Sequence, residues 1–360
     1  MGGIANAIVG IEDAVCYDFA SDGGPMIESV QFRNFKALRN TTLPLGRLTL
    51  IVGPNASGKS TALQAIRAAH RVDSFDFHKV VAAGLKLDDS TSIEITVRLG
   101  KPRDVTASVL WKANGLFELS ETDADGKLLR RSTTSLVTAI RGIEIYSFDA
   151  TAISAGARLE PSVRLDPNGG NLAVVLDQIH NLQPERFELL NEEMGRWLPE
   201  FDRILFDTPG QGRRGLVLRT REGHFQIPAS DVSQGTLLAL AILTLTYVPN
   251  PPSVVCLEEP DRGIHPRLLR DVRDAMYRLS YPENYGEKRE PVQVIATTHS
   301  PYLLDLFRDH PEEVVIANKV GQDVSFERLS DRNDLDEILG EAQLGDAWSS
   351  GVLGGVPSHP

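Results

Sequence analysis

Cysteine is scarce: the 360 residues contain two, Cys16 and Cys256. That excludes a disulfide framework or a cysteine-rich zinc site and fits a reducing cytoplasm. The eight histidines include no H-x-x-x-H pair, so a metal is expected only in company with another ligand. No apolar run reaches the ~18 residues that a membrane span needs. Residues 1–25 hold an apolar patch, but no basic segment precedes it, and Glu12 and Asp13 interrupt it. No secretory signal is expected there, and a glycine-rich extension before an ordered start near Met26 is expected. Basic charge is also in deficit. A net charge of −12 argues against a surface that coats nucleic acid, although a local basic groove stays open. Internal repeats and low-complexity tracts are absent. What remains is a globular composition, 41% hydrophobic and 24% charged, with ample material for a core.

The informative stretch is Ile51 to Thr61. It matches G-x-x-x-x-G-K-[ST] at Gly53, Gly58, Lys59 and Ser60, after the apolar run Leu48 to Val52 and before a helix expected over Thr61 to His70. A strand that feeds a helix through such a loop binds phosphate. The glycines let backbone N–H groups turn inward around an anion. Lys59 brings a point charge to the β- and γ-phosphates, and the Ser60 hydroxyl can ligate Mg²⁺.

Around this loop the period changes along the chain. Ile27 to Leu38 alternates as a strand, followed by a turn through Asn40 and Thr41 and a second short strand. Three alternating runs between Ser90 and Ser120, broken at Gly100-Lys101-Pro102 and Asn114-Gly115, predict an antiparallel meander. Ile143 to Phe148 reads as a strand, and Asn171 to Trp197 as two helices separated at Pro184. From Thr236 onward the chain alternates. Helices are expected at Thr236–Tyr247, Arg267–Leu279 and Pro301–Phe307, and strands at Ser253–Leu257 and Val292–Thr297. A closing hairpin is expected around Gly321. Such alternation predicts an α/β protein with a mainly parallel sheet and helical cover.

Three further stretches carry chemistry. Val254 to Pro260 is an apolar strand ending in Glu258 and Glu259. Alone, the pair reads as a solvated helix start. Beside a phosphate loop, one carboxylate can join a Mg²⁺ shell while the next assists an attacking water, a contribution of ~10²–10⁴ in rate. Thr297-Thr298-His299-Ser300-Pro301 ends another apolar strand. Its histidine either bonds a γ-phosphate or caps the helix that follows. Asp231 to Thr236 precedes the apolar helix, with Ser233 and Gly235 placed either to hold an anion or, for the serine, simply to cap.

In this order the motifs resemble those of the ABC-type ATPases, within them the branch of RecF, SMC and OLD (overcoming lysogenization defect) proteins. Gly53 to Thr61 (Gly53, Asn55, Ala56, Ser57, Gly58, Lys59, Ser60, Thr61) matches Walker A, and Val232 to Thr236 looks like the signature motif. Leu257 to Pro260 looks like Walker B with its catalytic glutamate, Asp261 to Pro266 like the D-loop, and His299 like the switch histidine. Phe32 to Lys36 resembles the strand flanking the nucleotide, which implies that a basic or amide side chain approaches it, Asn34 being the candidate. Departures are Glu258 where aspartate is commonest, Gln234 in place of a signature glycine, and no glutamine loop near Ile143 to Ile153.

The resemblance implies a P-loop NTPase with an ABC-type head over 26–330, divided into a Walker A lobe with an antiparallel β subdomain (26–150), an inserted helical lid with the signature (151–235) and a Walker B and switch part (236–330). A tail follows at 331–360. It implies ATP and Mg²⁺ as cofactors, Lys59, Glu259 and His299 in catalysis, and Ser60 and Glu258 on the metal. It further implies an isologous homodimer in which Ser233 and Gly235 complete the partner's ATP site. Residues 338–357 look like the tail of short prokaryotic ATPases encoded beside TOPRIM-like nucleases, the other account being a flexible end. An ATPase switch of DNA repair or anti-phage defence, with such a nuclease as effector, is the first expectation. The subunit of a membrane transporter and a nucleotide sensor without turnover are the alternatives. DNA contact through Arg213, Arg214, Arg219 and Arg221, or through Lys127, Arg130 and Arg131, competes with their being ordinary solvated charges.

Overall fold

The computed structural model describes residues 26–70, 77–82, 91–101, 104–114, 116–130, 142–161, 164–210, 212–341 and 343–354. The expected extension over 1–25, Arg131 and the last residues of the tail lie outside them.

In chain order the strands are β1 (Ile27–Phe35), β2 (Leu38–Pro44), β3 (Leu48–Val52), β4 (Ser92–Leu99), β5 (Val105–Lys112), β6 (Phe117–Asp123), β7 (Leu128–Arg130) and β8 (Ile143–Tyr146). They continue as β9 (Ala157–Arg158), β10 (Phe201–Asp207), β11 (Arg213–Thr220), β12 (Gln226–Pro228), β13 (Val254–Glu258), β14 (Gln293–Thr298), β15 (Val314–Val320) and β16 (Asp323–Arg328).

The central sheet runs β16-β15-β3-β14-β13-β8. All neighbours pair in parallel except β16 with β15. Residues of β3, β13 and β14 are buried almost without interruption, as expected of parallel strands covered on both faces. Alternate residues enter different cores. Leu50, Leu257 and Ala296 join the one built on helices Leu172–Leu182, Pro184–Trp197, Gln234–Tyr247 and Leu269–Ser280. Ile51, Cys256 and Ile295 join the other, with Leu63 and Ile66 of helix Lys59–His70 and Phe32, Ile95 and Val97 of the antiparallel sheet β2-β1-β4-β5-β6-β7. Gln293 ties the two sheets together. Its amide donates to the Ile27 and Gly46 carbonyls and accepts from the Ile27 N–H, so it is buried with its groups satisfied.

The meander, the two helices around Pro184 and the closing hairpin follow the sequence reading. Four features differ. The first hairpin turns at Lys36-Ala37, and Asn40 and Thr41 lie inside β2. Lys36 takes the left-handed conformation (φ 49°) that a two-residue hairpin loop requires, although it is no glycine or asparagine. The helix after the phosphate loop begins at Lys59, two residues early. The inserted lid is not helical throughout, because β9, before its two long helices, and β10–β12, after them, form an antiparallel sheet within it. Finally, the stretch after 331 is not a loose end as far as it is described. Helix Leu344–Ser349 packs against helix Pro301–Asp305, burying Leu344, Trp348 and Leu353. Gly345 donates its N–H to Asp305 Oδ1 at 2.7 Å, and a Cβ there would come within 2.7 Å of the Pro301 carbonyl.

Candidate functional site

Register puts three strand ends in one row. Val52, which closes β3, pairs with Thr298, and Thr297 pairs with Glu258. The histidine strand therefore lies between the phosphate-loop strand and the carboxylate strand, rather than the latter standing beside the loop. Ligands of open α/β sheets bind at such carboxyl ends.

The loop Gly53 to Gly58 needs its glycines. A Cβ on Gly53 would stand 2.6 Å from Ser57 Oγ and 2.7 Å from the Ala317 carbonyl. On Gly58 (φ 96°) it would stand 2.8 Å from a Val324 methyl. Ala56 is also left-handed, at φ 63°. Asn55, Ala56 and Ser60 are exposed, Thr61 is half-buried, and Ser57 is buried with an Oγ that has no hydrogen-bond partner. Lys59 is buried, its Nζ donating to the Gly53 carbonyl at 2.6 Å and the Pro54 carbonyl at 2.9 Å. Burial pushes its ammonium below the usual lysine range, while the charges of Glu259 and Asp261 oppose that shift. A backbone cradle too tight for a Cβ, an orphaned hydroxyl and a desolvated ammonium held by carbonyls together fit a bound phosphate chain.

Across the row, Glu259 holds a left-handed backbone (φ 47°). Its N–H donates to the Thr297 carbonyl at 3.0 Å, and its Oε1 lies 3.0 Å from His299 Nδ1. The Thr298 hydroxyl donates to Asp261 Oδ1 at 2.8 Å and accepts from the Ser300 N–H. Burial raises the Asp261 carboxyl, and the Thr298 bond works against it. Glu258 is half-buried. Strand alternation puts it on the Cys256 face, the side covered by the helix that starts at Lys59 and Ser60. The Glu258 carboxylate and the Ser60 hydroxyl are of the hard oxygen type that Mg²⁺ takes.

Ser233 and Gly235 are placed elsewhere. Ser233 caps helix Gln234–Tyr247, its Oγ accepting from the Thr236 N–H at 3.2 Å. Gly235 lets the next turn approach, since a Cβ would stand 2.6 Å from the Gly263 carbonyl. Both line a groove with Glu200, His265 and Arg267 that contains no residue of the phosphate loop. Asn34 turns its amide to the Ser92 carbonyl, 2.8 Å away. It is Lys36, from the same hairpin, that reaches the phosphate-loop helix, at Gln64 Oε1, 2.8 Å. Lys36, Asp261 and Thr298 have no individual role in the sequence reading, although Lys36 and Asp261 lie in the stretches likened to the nucleotide-flanking strand and the D-loop. The position of the last two, beside the carboxylate pair and the histidine, gave a further signal.

Arg213, Arg214, Arg219 and Arg221 make contacts within the lid. Arg219 makes a bidentate bond to Asp202, Arg214 pairs with Asp177, and Arg213 and Arg221 donate to backbone carbonyls. Among the described residues no helix is long and apolar enough to cross a membrane.

The family described as "AAA domain, putative AbiEii toxin, Type IV TA system" matches residues 48–305. The OLD nuclease of Thermus scotoductus is 25% identical over 371 aligned positions, which take in 90% of this chain and 69% of that protein. Among solved structures, an Smc head bound to the C-winged helix domain of ScpA is similar with a TM-score of 0.60. It is 16% identical, over 84% of this chain and 97% of that one. An Smc head domain from Pyrococcus furiosus, bound to the C-terminal domain of ScpA, gives 0.56 at 14% identity, over 84% and 96%.

Proposed function

Since this chain is an ABC-type ATPase of the RecF, SMC and OLD branch and belongs to the AAA domain family matched over 48–305, we propose that it works as a nucleotide-driven dimerisation switch for a separate effector. The observation that carries this reading is the division of the site. Phosphate loop, Glu259 and His299 share one row of strand ends, whereas Ser233 and Gly235 line a separate groove. One chain thus presents two half-sites, and two copies related by a two-fold axis would close two whole ones.

In this reading the loop from Gly53 to Ser57 wraps the phosphates of ATP, and Lys59 exchanges two carbonyls for phosphate oxygens. Ser60 and Glu258 would hold Mg²⁺, which when bound neutralises phosphate charge. Glu259 accepts the proton of the attacking water, and His299 holds that carboxylate in place. Ser233 and Gly235 of the second copy complete the cage, and hydrolysis opens it. The effector is proposed to be a nuclease of the TOPRIM-like class in DNA repair or anti-phage defence. The similarity to an OLD nuclease supports this, and the engagement of the lid arginines within their own lobe is consistent with it. The test is light scattering of Glu259→Gln with Mg-ATP. A dimer that forms with ATP and not with ADP is expected; a monomer at high concentration would refute the switch.

A further inference from the structure

Arg262 lies in the turn after the paired glutamates, and its two ends act on different parts of the molecule. Its backbone N–H donates to the Glu259 carbonyl at 2.9 Å, closing the turn that follows the left-handed Glu259. Its guanidinium crosses to the Phe148 carbonyl at 3.3 Å, where the chain leaves β8. That exit is pinned. Ser147 and Asp149 donate their N–H groups to the Pro167 and Asn168 carbonyls, and Asp149 Oδ1 accepts from the N–H groups of Thr151 and Ala152. The helix so capped, Ala150–Ser154, packs on helix Gln234–Tyr247, whose first turn presents Ser233 and Gly235. Tyr146, Phe148, Leu238, Glu258 and Glu259 line one small cavity with Arg262. A side chain bridging two elements at a cavity wall sets their separation, and a guanidinium, with a planar fork of donors, fixes direction as well as distance.

We propose that Arg262 is a positioning residue that links the Glu259 turn to the lobe carrying Ser233 and Gly235, so that placement of the catalytic carboxylate and presentation of the groove change together. This rests on the reading that Glu259 acts on water and that the groove completes a second copy's site. The hydrogen bonds of Arg262 go to Glu259 and Phe148, outside the phosphate loop, so it governs turnover and assembly but not capture of nucleotide.

The experiment compares the full-length wild type with Arg262→Gln and Arg262→Lys, measuring kcat, KM, binding of a fluorescent ATP analogue and, in the Glu259→Gln background, dimerisation with Mg-ATP. Arg262→Gln should bind the analogue as wild type does, which also shows that it is folded. Its kcat should fall roughly 10- to 100-fold, as displacement of a catalytic group does, with little change in KM and a weakened dimer. Arg262→Lys, which keeps the charge and a donor, should recover part of the loss. A wild-type kcat in Arg262→Gln, or in Arg262→Lys should the glutamine variant not fold, overturns the proposal. So does a loss of analogue binding equal to the loss of kcat in a folded variant. Failure of Glu259→Gln alone to dimerise refutes the switch and leaves the kcat comparison to decide the role of Arg262.

Discussion

His299 Nδ1 stands 3.0 Å from Glu259 Oε1, joining the end of the histidine strand to the residue just past the carboxylate strand. In the proposed mechanism that contact orients a carboxylate whose left-handed backbone is held by the Thr297 carbonyl and one short turn. Glu259→Gln should lower kcat by ~10²-fold or more, and His299→Ala by ~10-fold or more. If the pair works as a unit, the double variant should be little worse than Glu259→Gln. Fully additive losses in steady-state ATPase assays would show that the two act separately.

Lys59 contributes to the loop before any nucleotide arrives, because its two carbonyl bonds bridge the start of the turn. Lys59→Ala should cost the free protein about 1 kcal/mol and abolish the rise in melting temperature that ATP gives the wild type. A thermal scan with and without Mg-ATP checks both at once. An equal ATP-induced shift in variant and wild type would remove Lys59 from the site.

Ala56 and Gly58 are both left-handed, with opposite consequences. An alanine at φ 63° carries a steric cost of ~1–2 kcal/mol, so Ala56→Gly should be neutral or stabilising after the added freedom of the unfolded chain is counted. Gly58→Ala adds a methyl 2.8 Å from Val324 as well as the backbone penalty, and should cost ~2 kcal/mol or more. Denaturant midpoints of the two variants should move in opposite directions or differ by that amount.

Glu313 is buried, its carboxylate accepting from the Tyr277 and Tyr281 hydroxyls. Burial raises its pKa above the usual 4.5, and the tyrosine bonds oppose the rise. A raised carboxyl favours the fold when protonated. Its contribution is thus complete below the ordinary value and lost as pH climbs through the folded one. Glu313→Gln does not titrate, so its melting temperature should gain on the wild type as pH increases from about 4.5 and then level off. A gap that stays constant over that window would refute the sign.

The legible part of this chain was the part whose chemistry is local. Gly53, Gly58 and Lys59 announce a phosphate cradle because backbone shape and charge there depend on neighbours in sequence. The buried strands were readable because β3, β13 and β14 are apolar throughout. Sheet order was not, since placing Thr298 between Val52 and the carboxylate strand is a long-range choice that no run of residues encodes. β10 and β11 escaped notice because Asp202, Arg203, Arg213, Arg214 and Arg219 give them the look of polar loop. Those charges are spent on ion pairs and carbonyls within the lid. The turn at Lys36 was missed because a lysine there carries no turn signature.

The docking of helix Leu344–Ser349 on Pro301–Asp305 gives the molecule a short mechanical lever. Only five residues, Ser300 to Leu304, separate Asp305, Gly345's foothold, from His299. A protein, tag or surface that tugs on the last helix therefore pulls almost directly on the imidazole, whereas the same load on the outer strands of the meander would be spread through two layers of sheet.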